Sequence, residues 1–149
     1  MRWMQRAGFS DERDVRERIY MTAMTTCFPG KREHGSGDRR PSAQEVALCT
    51  PWLDAVLALL EPRLILPIGS LALARFLPGQ RLDDVIGYAF SGTGTRVSGT
   101  AEMPPVILPL PHPSGQSRWL NDPSRRAKLD HGLRTLQRFV AWAEADSML

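Results

Sequence analysis

The chain has 149 residues, 42% of them hydrophobic and 23% charged, which suits one soluble domain with a core and does not suggest disorder. No apolar stretch nears the roughly 20 residues of a membrane span, and the start MRWMQRAGFS lacks the apolar segment of a secretory signal, so a cytoplasmic protein with no membrane partner is expected. Net charge is +3 from 19 basic residues, of which only Lys31 and Lys128 are lysines; arginine suits bidentate phosphate contacts, but so small an excess does not by itself require nucleic acid.

In chain order the predicted elements alternate as in α/β proteins. Arg2 to Ala7 reads as the last turn of a helix ended by Gly8, and the mixed-charge stretch Ser10 to Arg18 leads toward a first strand at Ile19 to Thr26, apolar and rich in threonine. Lys31 to Arg40, with both signs of charge and two glycines, is an exposed loop. Ser42 with Glu45 three residues on forms a capping box for a helix over 42–60, whose apolar stripe is Val46, Cys49, Leu53, Val56, Leu57 and Leu60 and whose Pro51 should kink or divide it. Leu64 to Ile68 is a second strand, turned by Gly69-Ser70 into a helix from Leu71 to Leu77 that Pro78-Gly79 stops.

Ser91 to Pro105 has no helical period and reads as a hairpin or loop; Val97 stands where a dinucleotide fingerprint would need its third glycine. Val106 to Leu110 is a short apolar run bounded by turn residues, hence a buried strand. Asp122-Pro123 opens the final helix, with Leu129, Leu133, Leu136, Phe139, Val140 and Ala143 on its buried face.

The densest chemistry lies between the last strand and that helix, in PHPSGQSRWL at 111–120. His112 emerges at the carboxyl end of a strand, where open α/β sheets hold ligands, between prolines that stiffen the chain. Ser114, Gly115 and Ser117 offer hydroxyls and unhindered backbone N–H groups to an anion. The plainer alternative is a tight turn carrying a surface histidine. Cys27 and Cys49 are too far apart for a redox pair and lack a histidine at zinc-finger spacing, so spacing alone reads them as two buried cysteines.

The string His112-Pro113-Ser114 after a strand resembles the last active-site motif of the uracil-DNA glycosylase superfamily. IYMTAMTTC, then CFPG and DRRPSAQEVALCTPWL, resemble that superfamily's iron-sulfur branch (family 4 and its relatives), and PRLILPIGSLALARFL resembles its next strand, glycine turn and helix. In order, these segments cover residues 1 to about 140.

The resemblance implies one glycosylase-like domain over 1–149, a three-layer α/β/α fold with a mostly parallel central sheet and strands near 19–26, 64–68 and 106–110. It also implies an N-terminally shortened form, since the family's first strand and its Gly-Glu-Ala-Pro-Gly-like loop would precede Trp3 to Phe9. Cys27 and Cys49 correspond to the third and fourth ligands of a [4Fe-4S] cluster, so this chain of two cysteines holds no cluster unless a longer N-terminus supplies two more. Ala23 stands where many relatives carry a base-binding asparagine, which leaves Thr22 or Thr25 as partial substitutes.

By the same resemblance His112 stabilises the departing uracil, and Ser114, Gly115, Ser117 and Arg118 hold flanking phosphates. Gln116 occupies the place of a wedging leucine and is a poorer wedge, while Trp119 either stacks on a base or packs under the loop. The implied partner is DNA containing a damaged or deaminated base, met by a monomer, in hydrolysis of an N-glycosidic bond during base excision repair, with the missing first motif expected to leave a marginally stable protein of little activity. Two alternatives stay open: a non-catalytic nucleic-acid-binding protein with the same fold, and an unrelated α/β protein using Gly69-Ser70 and Ser114-Gly115 for a small phosphorylated ligand.

Overall fold

The computed structural model describes residues 2–35, 37–99, 105–113 and 118–145. The chain forms two compact units, one from residues 1–20 and 62–149 and the other from 21–61.

The larger unit is built on a sheet of β1 (Leu64–Ile65), β2 (Ala89–Ser91), β3 (Arg96–Val97) and β4 (Val106–Ile107), in the spatial order β1-β4-β2-β3. β1 and β4 run parallel, with Leu64 beside Val106 and Ile65 beside Ile107, and a bridge between Ile68 and Leu110 continues the pairing. β2 is antiparallel to both β4 and β3, so the sheet is mixed where a mostly parallel one was expected. The cause is the short link after Ser91. Ser91 N–H donates to the Thr95 carbonyl at 2.8 Å and Gly94 N–H to that of Ser91 at 2.9 Å. So tight a connection joins only antiparallel neighbours.

A second correction concerns Ile19 to Thr26, which forms no strand. Threonine-rich, apolar sequence fits a pleated surface but becomes a strand only when a neighbour pairs with it. Among the described residues none does, and Tyr20 and Met21 are left 64% and 57% exposed. The stretch before it is the helix α2 (Glu12–Arg18), which follows α1 (Arg2–Arg6) and is capped by the Asp11 carboxylate accepting the Asp14 N–H at 2.9 Å. Pairs four residues apart, Glu12–Arg16, Arg13–Glu17 and Asp14–Arg18, run along its surface.

Alternation along the strands sends side chains to opposite faces of the sheet. Ala89, Val97, Val106, Leu108 and Leu110 join one core with Ala7, Phe9 and Val15 and with Leu129, Leu133, Leu136 and Phe139 of α6 (Pro123–Ala145). Phe90 and Ile107 join the other, with Leu73 of α4 (Gly69–Phe76), Leu77, and Val85 of α5 (Leu82–Val85). Helices therefore cover both faces. α6 begins where the Asp122 carboxylate accepts the Ser124 N–H at 2.8 Å. Near its end the Arg63 guanidinium donates to the Trp142 and Ala143 carbonyls at 3.4 and 3.1 Å while lying 4.3 Å over the Trp142 ring.

In the smaller unit Lys31 and Asp38 bridge the exposed loop, and α3 (Ala43–Leu60) starts with the expected capping box on Ser42 and Glu45. Pro51 does not divide the helix, which runs from Ala43 to Leu60. Of the predicted apolar stripe only Leu53 is buried, while beside it Leu48, Trp52 and Leu59 are 69%, 70% and 84% exposed. By length and apolar composition alone α3 would pass for a membrane-crossing helix, which narrows the reading that no apolar stretch comes near a span; core helices of water-soluble domains share those properties.

Candidate functional site

The backbone of β4 and its extension is tied to β1 by Val106 N–H to Arg63 O (2.8 Å), Leu108 N–H to Ile65 O (2.9 Å) and Leu110 N–H to Pro67 O (3.0 Å). Pro109 and Pro111 occupy the alternate positions, which donate nothing to β1, and both are fully buried. Their missing N–H groups therefore cost that ladder nothing, and their fixed φ stiffens the exit from the strand.

His112 follows Pro111 directly and is exposed. Beside it the Gly69 N–H donates back to the Leu110 carbonyl at 2.9 Å, closing the carboxyl ends of the two parallel strands together. Gly69 has φ of +79°, and a Cβ there would stand 3.4 Å from His112 Cβ and 3.6 Å from Cδ2. The positive φ is what calls for glycine, and a Cβ there would only touch His112. The imidazole thus lies against the first residue of α4, where a helix presents unpaired N–H groups and the positive end of its dipole.

Ser114, Gly115, Gln116 and Ser117 lie outside the described residues. Arg118 opens a 3₁₀ turn, Arg118–Asn121, that leads into α6. Within that turn Trp119 is buried, and its indole N–H donates to Asp83 Oδ1 at 2.8 Å, so it packs and is not displayed for a base to stack on. Asp83, on α5, also takes Arg125 in a forked pair, Nε to Oδ1 at 2.8 Å and Nη2 to Oδ2 at 2.9 Å, and its backbone carbonyl accepts Lys128 Nζ at 2.6 Å. Asp83 escaped sequence reasoning because one of two adjacent aspartates at a helix start looks like dipole compensation, and no local signal separates it from Asp84.

Thr22, Ala23, Thr25, Cys27 and Cys49 belong to the smaller unit. Thr22 and Ala23 are exposed and Thr25 half-buried; the Thr22 hydroxyl donates to the Ala23 carbonyl at 3.5 Å. Both cysteines are free thiols, with Cys49 Sγ 3.8 Å from the Thr26 hydroxyl. The backbone N–H of Thr26, and then its hydroxyl, hold the Cys49 thiol below the usual thiol range. An iron-sulfur cluster takes four protein ligands, usually thiolates. The chain has two cysteines, so it supplies two of those four thiolates.

An α/β sheet that brings a histidine and a helix N-terminus together at the carboxyl ends of parallel strands is a ligand-binding architecture. Its family follows from comparison. The model of the uracil DNA glycosylase superfamily matches residues 1–137, and the chain belongs to that superfamily. A comparison with curated proteins finds no match.

Proposed function

We propose that the protein hydrolyses the N-glycosidic bond of uracil or another deaminated base in DNA, with His112 as the donor that stabilises charge on the departing base. The observation that carries this reading is the placement of His112 against Gly69, at the joined ends of β1 and β4, in a chain of this superfamily. A base must leave the stack to reach such a site, and negative charge then develops on its carbonyl oxygen as the bond breaks. A positioned imidazole N–H answers that charge, and the N-terminus of α4 beside it favours a neighbouring phosphate. Ser114, Gly115, Gln116, Ser117 and Arg118 are proposed to contact the flanking backbone.

Uracil release from a labelled single-stranded oligonucleotide tests the proposal. His112→Ala should lower turnover by about two to three orders of magnitude, the usual cost of losing a transition-state donor, while DNA affinity changes little. Equal losses in turnover and affinity would show that His112 only shapes the loop. The second reading, a nucleic-acid-binding protein without catalysis, draws on Ala23, which is exposed and has no side-chain hydrogen-bonding group for a base. Its signature is wild-type binding with no base released.

A further inference from the structure

Most arginines of the larger unit are engaged. Arg6 pairs with Asp130, Arg13 with Glu17, Arg16 with Glu12, Arg18 with Asp14 and Glu144, and Arg125 with Asp83, while Arg126 donates to the Leu120 carbonyl. Arg134 and Arg138 differ: both are exposed on α6, and no described carboxylate lies within ion-pair distance of either. Four residues apart, they share one face of the helix. Like charges so placed repel, and the carboxylate one turn before Arg134, that of Asp130, is paired with Arg6.

The row continues toward the candidate site. His131 lies one turn earlier on the same face, and Gly87 backs onto it with φ of +99°; a Cβ on Gly87 would come within 3.2 Å of His131 Cδ2 and 3.3 Å of the Lys128 carbonyl. Tyr88 meets His131 edge to face at 6.1 Å, and Arg96 lies over the Tyr88 ring, 3.0 Å from its centroid. A band thus runs through the contacts of Arg96, Tyr88 and His131 and on to Arg134 and Arg138, which follow His131 on the exposed side of α6; Asp130 stands beside it, paired with Arg6. The register that sets Phe90 opposite Ile107 puts Tyr88 opposite Pro109, so the band starts at the sheet end that carries His112.

We propose that this band is a second phosphate-binding track, which holds the DNA backbone as it runs past the His112 site. This rests on the DNA reading above. From His131 to Arg138 the helix rises about 10 Å, enough to follow more than one phosphate of a strand. Guanidinium groups suit phosphate oxygens, and a cation already held over an aromatic ring is ordered before the backbone arrives.

Fluorescence anisotropy of a labelled oligonucleotide, single-stranded and duplex, measured across a series of NaCl concentrations, tests the track. Replacing both arginines by alanine (R134A with R138A) should weaken binding about tenfold at low salt and lower the slope of log affinity against log salt by about 1 to 2, since each lost phosphate contact removes a little under one unit. The double lysine variant should keep the wild-type slope. The double glutamate variant should bind more weakly than the alanine pair. An unchanged thermal midpoint would show that the folded state is intact, as expected for exposed positions. Wild-type affinity and slope in the glutamate variant would overturn the track while leaving the DNA reading standing. Absence of salt-dependent binding by the wild type would overturn both.

Discussion

The two units place their apolar side chains in opposite ways. The larger one divides them between two cores, one on each face of a short mixed sheet, with Leu108, Leu110 and Leu136 fully enclosed. The smaller one has an 18-residue helix with a single buried side chain, Leu53, and four large apolar residues, Leu48, Trp52, Leu59 and Leu60, left exposed. Local signals suffice to write a helix such as α3, because a capping box and a run of leucine and alanine act within a few residues. Burial is a non-local outcome, and in the larger unit it is the pairing of β1 with β4, far apart in sequence, that organises it. The units should therefore respond differently to the same kind of substitution.

Leu136→Ala tests the dense side of this contrast and should have the largest effect. A leucine removed from an enclosed core costs about 2–5 kcal/mol, to be read from denaturant midpoints. Leu59→Ser on α3 should change stability by no more than about 0.5 kcal/mol, as for other exposed sites. Comparable losses from the two would mean that the outer face of α3 is covered in solution, and the contrast would fail. Next in size is Asp83→Ala, which strands the buried indole N–H of Trp119 and frees Arg125; an unmet buried donor costs about 1–3 kcal/mol. Asp83→Asn keeps an acceptor for the indole and should lose less. The downfield indole N–H resonance of Trp119 reports the bond directly, and its persistence unshifted in Asp83→Ala would contradict the anchoring role.

What could be read from the sequence divides along the same line. Leu64–Ile65 and Val106–Ile107 were visible as short apolar runs between turn residues, and α3 and α6 as capped periodic stretches. The direction of β2 was not, because whether a glycine-rich segment adds antiparallel strands to a sheet depends on which neighbour it meets. Ile19 to Thr26 misled for the related reason that strand composition without a pairing edge stays irregular. α2 was overlooked although its charges recur at a spacing of four, the one local sign it offered. At the site, the position of His112 just past the carboxyl end of a strand followed from chain order alone. The Asp83 anchor joins residues 36 apart and left no trace in either neighbourhood.

The smallest effects sharpen the comparison from the side of the smaller unit. Ser42→Ala removes the hydroxyl that accepts the Glu45 N–H at 3.2 Å and should cost about 1 kcal/mol, seen as faster amide exchange in the first turn of α3 and not in α6. Glu45 then supplies a pH test. Its carboxylate pairs with the Arg39 guanidinium at 2.6 and 3.0 Å and accepts the Ser42 N–H at 2.7 Å, and these partners, Arg39 foremost, draw its pKa from 4.5 down to about 2. A carboxylate held lower in the folded chain than in the unfolded one stabilises the fold fully above the unfolded value, and the contribution disappears as pH falls through the folded value. The first turn of α3 should therefore lose protection between about pH 4.5 and about 2. Glu45→Gln should remove that dependence while leaving the acid response of Asp122, lowered by its bond from Ser124 at the start of α6, untouched. Should α3 fray over the same pH range in Glu45→Gln as in the wild type, the Arg39–Glu45–Ser42 contact is not what holds the start of the helix.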